Sequence, residues 1–248
     1  MNELHPSEKT PGLFTAAYWQ MALASFRSVR IFTFASLIVA LRVAVKLFRI
    51  PLAAGLTLSL DCYVNALGSV VYGPLMGLLV GAVSDTLGCL LFPSGPYFFP
   101  FIFVEMSSSF IFGLLLWRRR LTVNRVLFTK FMVNLVCNII LTSIVMKWDY
   151  YVMYGVEKAE AYAVINLVRI GKNLVLFPLE AMLITLVLQA AVPILKHMSF
   201  PGLDTSLLRL ERKHFVLIGV LLLVSIALIL FYVYAGADFI KAHNLKWL

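Results

Sequence analysis

Long apolar runs separated by short polar or basic stretches make up most of this chain, and their lengths predict membrane-crossing helices. Leu13–Arg30 alternates Phe14, Tyr18, Trp19, Met21, Leu23 and Phe26 with Gln20, Arg27 and Arg30, which predicts an amphipathic helix lying in the interface. The first span is about Ile31–Leu47. Pro51–Leu60, with Gly55, reads as a connection. Leu60–Tyr72 is a short second run, and Pro74–Leu91 is a third that starts on a proline, where the missing N–H costs nothing. Phe92-Pro93-Ser94-Gly95-Pro96 stops that helix, and Tyr97, Phe98, Phe99 and Phe101 follow at once. Further spans are expected at Phe101–Trp117, Val126–Met146, Val164–Leu195 with a kink at Pro178, and Phe215–Tyr234. Lys147–Ala163 and Lys196–Lys213 read as loops. The organisation is therefore a tail and interfacial helix over 1–30, a six-helix membrane domain over 31–195, and a loop, a seventh helix and a short tail over 196–248. The fold class is all-α integral membrane.

Composition narrows the function. Of 248 residues, 61% are hydrophobic and 13% charged, and the mean hydropathy is +0.92, which leaves no length for a soluble catalytic or nucleotide-binding domain. The net charge of +9 is spread as basic clusters between apolar runs. That is the footprint of topology and anionic lipid rather than of nucleic acid. With the N-terminus cytoplasmic, Arg27, Arg30, Arg118, Arg119, Arg120, Arg125, Lys130, Lys196, Arg209, Arg212 and Lys213 all fall inside. Cys62, Cys89 and Cys137 sit within spans, without metal or disulfide spacing. No phosphate loop, H-E-x-x-H or G-x-S-x-G occurs, and no cofactor or metal is expected.

Several polar residues need a reason to be in a membrane. Gly73, Gly77, Gly81 and Asp85 share one helix face, where the glycines allow close helix approach and Asp85 must meet protein or water. Ser36, Ala40 and Ala44 make a smooth small-residue face on the first span, with Arg42 on the opposite side. Glu105 is a second intramembrane carboxylate. On this topology Arg42, Lys46, Arg49, Arg169 and Lys172 gather at outer helix ends against the positive-inside rule. One reading is a lidded pocket for a flat anionic molecule, in which Tyr97, Phe98 and Phe99 stack on rings while the cations pair with carboxylates. Asn65, Asn173 and Glu105 would add polar contacts there. The plainer reading is an aromatic belt, with Arg42 snorkelling to the interface.

The stretch GPLMGLLVGAVSDTLGCLLFPSGPYFFP, together with Arg169-Ile-Gly-Lys172-Asn173-Leu-Val-Leu-Phe-Pro178-Leu-Glu180 and the small-residue first span, resembles the substrate-binding (S) component of energy-coupling factor (ECF) vitamin transporters, most closely its folate-type branch. The resemblance covers about Phe32–Ala191 and implies a six-helix domain that captures a vitamin outside a bacterial cell membrane. It would pass that vitamin to a transmembrane coupling protein and two ATPases without being an enzyme itself. It implies that Ser36, Ala40 and Ala44 face the coupling protein. Arg42, Arg169, Lys172, Asn173 and the Tyr97–Phe99 loop would face folate or a related vitamin. Two features depart from the family: Glu105, at a helix start where members carry no acidic residue, and the span Phe215–Tyr234. Other readings remain open: an S component for a different vitamin, a stand-alone proton-coupled carrier using Asp85 and Glu105, or a membrane enzyme acting on a lipid or pterin.

Overall fold

A computed structural model describes residues 11–53, 56–93, 98–156, 167–198, 200 and 212–231. Helix α1 (Ala16–Ala24) and a 3-10 turn (Ser25–Arg27) lead into α2 (Val29–Val45), bent from them by 78°. The Ser28 hydroxyl caps α2 by accepting from the Ile31 N–H at 3.4 Å. Strands β1 (Arg49–Ala53) and β2 (Leu56–Ser59) form an antiparallel pair, followed by α3 (Asp61–Leu91) and α4 (Phe101–Leu116). Helix α5 (Val123–Val133), capped by Thr122, runs through a π-helical stretch (Asn134–Leu141) into α6 (Thr142–Tyr154). Helices α7 (Leu167–His197) and α8 (Arg212–Phe231) complete the described chain.

The apolar runs coincide with helices, and the differences fall between them. Pro51–Leu60 is not a plain connection: it carries most of a β-hairpin in which Leu56 and Leu58 are buried while Thr57 and Ser59 are exposed. Lys147–Tyr154, expected as loop, continues the helix from α5 and stops at Gly155, whose φ of +87° is open to glycine at no steric cost. The remainder of that expected loop, 157–163, lies outside the described residues.

Helix α3 is two arms joined at one residue. Gly73 has φ +81° and ψ −176°, and Pro74 starts the second arm. Arg42 and Lys46, one turn apart on α2, contact Asp61 and Asp85 respectively. A straight helix would hold those two aspartates about 36 Å apart at 1.5 Å per residue, so the arms must fold back on each other at Gly73. The second run and the third are thus separate helices with almost no connection between them.

Helix α4 lies along both arms. A methyl group at Gly77 would sit 2.9 Å from the Ser109 carbonyl oxygen, one at Gly81 2.8 Å from the Glu105 carbonyl oxygen, and one at Gly113 2.6 Å from Pro74. Lipid tails are as apolar as leucine, so close backbone packing, not expulsion from water, holds these helices together. At the turn, Trp117 covers Gly73 and donates its indole N–H to the Val71 carbonyl at 3.2 Å. Tyr18 and Ala22 of α1 are fully buried beside Trp117, so α1 is docked on the bundle; its residues Ala16–Ala24 are apolar nearly all round, not the amphipathic helix expected from the longer run.

Residues of α3, α4, α5 and α7 form the main core, including Ala66, Phe112, Val126 and Ile184. Helix α8 packs Leu228 and Ile229 against Leu56, Val175 and Leu176. Outward leucines such as Leu37, Leu79 and Leu90 are exposed, as a lipid-facing surface requires. Among the described residues three helices, Asp61–Leu91, Val123–Tyr154 and Arg169–Leu195, are long and apolar enough to cross a membrane, and the bent α1–α2 pair is a fourth if taken as one span. The protein is a multi-pass, all-α membrane bundle with a small hairpin at one end.

Candidate functional site

The hairpin, both free ends of α3, the start of α4, the end of α6 and the start of α7 meet at the end of the bundle away from Trp117. Two polar clusters lie there. In the first, Arg42 is completely buried and makes a bidentate pair with Asp61, Nε to Oδ1 at 2.9 Å and Nη2 to Oδ2 at 2.8 Å. Nη2 also donates to Glu105 Oε2 at 2.6 Å, and Nη1 donates to the Ser109 hydroxyl at 3.1 Å. Two carboxylates and a hydroxyl therefore surround one guanidinium, whose planar fork suits this geometry. Lys46 pairs with Asp85 at 3.1 Å and lays its stem over Gly88. Asn65 donates to Ser108 at 3.3 Å and accepts from Ser69 at 3.4 Å, stitching α3 to α4.

The second cluster joins the π-helical stretch to α7. Asn138 donates to Asn134 and to Asn173, each at 3.1 Å, and Asn173 in turn donates to the Arg169 carbonyl at 2.9 Å. Arg169 reaches the Ser143 hydroxyl at 3.2 Å. The wider π turn accommodates this polar row inside an apolar helix, a placement common at functional sites. Arg169, Lys172 and Asn173 occupy one face at the start of α7 and are half-buried. Deeper in the bundle, Lys130 and Glu180 form a buried pair at 2.9 Å, with Cys62 Sγ 3.9 Å from the Lys130 Nζ.

The sequence-predicted residues separate into groups. Arg42, Asn65 and Glu105 belong to the first cluster, and Arg169, Lys172 and Asn173 to the second. Phe98 sets its ring edge to face on Trp148 at 5.7 Å, and Phe99 meets Phe103 at 6.0 Å, which places these two rings at the same end. Pro93 is exposed; Tyr97 and Gly95 lie outside the described residues. Ser36, Ala40 and Ala44 are exposed together on α2. Gly73, Gly77 and Gly81 face Trp117 and α4, whereas Asp85 turns to Lys46.

Arg42 neither snorkels nor presents an unmatched charge, because Asp61 and Glu105 already hold it. Lys46 likewise is not an unmatched charge, because Asp85 pairs with it. Sequence reasoning missed Asp61 as the counter-ion of Arg42 and missed Asn134 and Asn138 as a row with Asn173. The one-turn spacing of the two asparagines was the available signal. Among the described residues no group of three or more His, Cys, Asp or Glu side chains is arranged to hold a metal ion.

The chain is 28% identical over 119 residues to the folate transporter FolT of Clostridium novyi (strain NT), covering 48% of this chain and 64% of the relative. It is 30% identical over 110 residues to a folate transporter FolT of Leuconostoc mesenteroides, covering 44% of this chain and 58% of the relative. The matches thus span less than two thirds of the curated relatives' length. A crystal structure of FolT bound with folic acid superposes with a TM-score of 0.51 at 26% identity, covering 62% of this chain and 88% of that one. The profile of the family described as ECF-type riboflavin transporter, S component, matches residues 26–195, well over half of the chain, and the chain belongs to that family of transport components.

Proposed function

We propose that this protein is the substrate-capturing component of an ECF-type importer, and that its ligand is folate or a chemically related anionic vitamin. The observation that carries the reading is the likeness to the folic-acid-bound FolT structure across 88% of that chain, supported by two folate-transporter relatives. Folate combines a flat ring with a dianionic tail, and the polar end offers both kinds of partner. Phe98, Phe99 and Tyr97 supply aromatic surface, Arg169 and Lys172 supply cations for carboxylates, Asn65, Asn173 and Glu105 add polar contacts, and Arg42 holds Glu105 in place.

Ser36, Ala40 and Ala44 form the surface that docks the transmembrane coupling protein, which works with two ATPase subunits. Small residues exposed on one helix face suit close helix–helix contact in lipid. The basic run Arg118–Arg120 and Arg125 lies at the Trp117 end, opposite the polar clusters. Under the positive-inside rule that end and the N-terminus are cytoplasmic, and the polar end opens outside.

Titration of the purified, ligand-depleted protein with folate tests the reading, with riboflavin and biotin alongside. Tight one-to-one folate binding is the expected outcome. Riboflavin is the second candidate because the matching family carries its name. Riboflavin bound in preference to folate would replace the substrate and leave the transport role. A proton-coupled carrier working through Asp85 and Glu105 has less support, since Lys46 and Arg42 already engage both carboxylates.

A further inference from the structure

The first polar cluster is charge-unbalanced in a way that selects what can approach it. Arg42 and Lys46 contribute two positive charges, and Asp61, Asp85 and Glu105 contribute three negative ones. Arg42 is wholly buried with its donors engaged, so a ligand carboxylate would have to displace Asp61 or Glu105 to reach it. Among the described residues two acceptor oxygens lack a donor. Glu105 is held through Oε2, and among the described residues no donor reaches Oε1; its side chain is 30% exposed against none for Arg42. Among the described residues Asp85 Oδ2 is buried without a hydrogen-bond partner, while Oδ1 takes Lys46. An uncompensated carboxylate in a low-dielectric interior calls for a donor, and an orphaned buried acceptor calls for the same.

We propose that Glu105, backed by Asp85, receives the N–H-bearing edge of the ligand, so that this cluster reads an amino-substituted heterocycle while ligand carboxylates are held elsewhere, on the α7 cations. The proposal rests on the reading that the ligand enters at this end. It assigns Glu105, the residue at which the chain departs from its family pattern, the role of a specificity determinant. It also inverts the pairing expected from sequence, in which Arg42 meets a carboxylate.

The test uses the full chain in detergent, with folding of each variant checked by its melting transition. The ligands are folate, its 2,4-diamino analogue, and 4-aminobenzoyl-glutamate, which carries the tail without the pterin. Glu105→Gln keeps the shape and an acceptor for Arg42 but removes the charge. It should weaken folate more than tenfold, weaken the more basic diamino analogue further still, and leave the tail fragment unchanged. Asp85→Asn should shift binding in the same order by a smaller factor. If wild-type protein binds folate and folded Glu105→Gln binds it equally well, the role of Glu105 is overturned and the proposed function stands. If wild-type protein binds no folate, folate falls as the substrate while the transport role stands, and 2,4-diaminopyrimidine and thiamine become the probes. Binding of either that is lost in Glu105→Gln upholds the donor-reading cluster, and binding of neither overturns it.

Discussion

Arg42 Nη2 lies 2.6 Å from Glu105 Oε2 and 2.8 Å from Asp61 Oδ2, so one nitrogen of a buried guanidinium holds two carboxylates together. Removing the cation leaves like charges facing each other in a medium that cannot screen them. Arg42→Ala should cost on the order of 3–5 kcal/mol, read as a lower melting temperature in detergent. Adding Glu105→Gln to Arg42→Ala should recover part of the loss. Equal melting of the single and double variants would show that the two carboxylates do not interact.

Gly73→Ala should destabilise the fold more than any other single methyl addition along α3. The residue must hold φ +81° with ψ −176°, a region open essentially only to glycine that costs an alanine on the order of 1–3 kcal/mol, and its methyl group would lie 2.7 Å from the Trp117 ring. Gly73→Ala/Trp117→Phe relieves the contact but not the dihedral and forfeits the indole bond to Val71, so no rescue is expected. Full rescue by Trp117→Phe would place the strain in the ring contact alone.

Lys130 and Glu180 are a matched pair between α5 and α7, with side chains 2% and 11% exposed. Lys130→Met alone should cost about 3–5 kcal/mol by stranding the carboxylate, whereas Lys130→Met/Glu180→Leu should return close to wild type. A double-mutant cycle on thermal unfolding gives the coupling directly. Additive losses would mean that the two charges contribute independently.

Leu228 and Ile229 of α8 cover Leu56 of the hairpin and Val175 and Leu176 of α7. Replacing both by Ala should lower stability by roughly 2–4 kcal/mol, less than for fully buried leucines because both remain partly exposed. The hairpin and the start of α7 border the polar end, so ligand affinity should fall with stability. A stability loss without any change in binding would confine α8 to a supporting role.

The sequence made the helical spans legible because a bilayer demands long apolar runs, and it exposed the glycine stripe because the four-residue spacing of Gly73, Gly77 and Gly81 has few other uses. It hid the features that depend on partners far away in the chain. Asp61 carries no local sign that it will meet Arg42. Pro51 and Gly55 argue against strands, yet Leu56 and Leu58 alternate with Thr57 and Ser59 and pair with β1. Lys147–Tyr154 has the composition of a loop, but in place Trp148 packs on Phe98 and Tyr150 on Tyr154 at 5.3 Å, and the helix continues. The candidate cations of α7 were visible as charges in a span, whereas the asparagine row depends on a π turn that no periodicity announces.

The reversal of α3 at a single residue divides the molecule into an end that tolerates variation and an end that does not. At Gly73 there is no loop to lengthen, and an insertion would separate the two arms from α4 and unseat Trp117. The hairpin, Phe98 and Phe99, the end of α6 and the start of α7 lie at the opposite end, where residues can be added or exchanged without disturbing the packed glycines. A scaffold divided in this way can take on new ligands at its mouth while the opposite end keeps one shape.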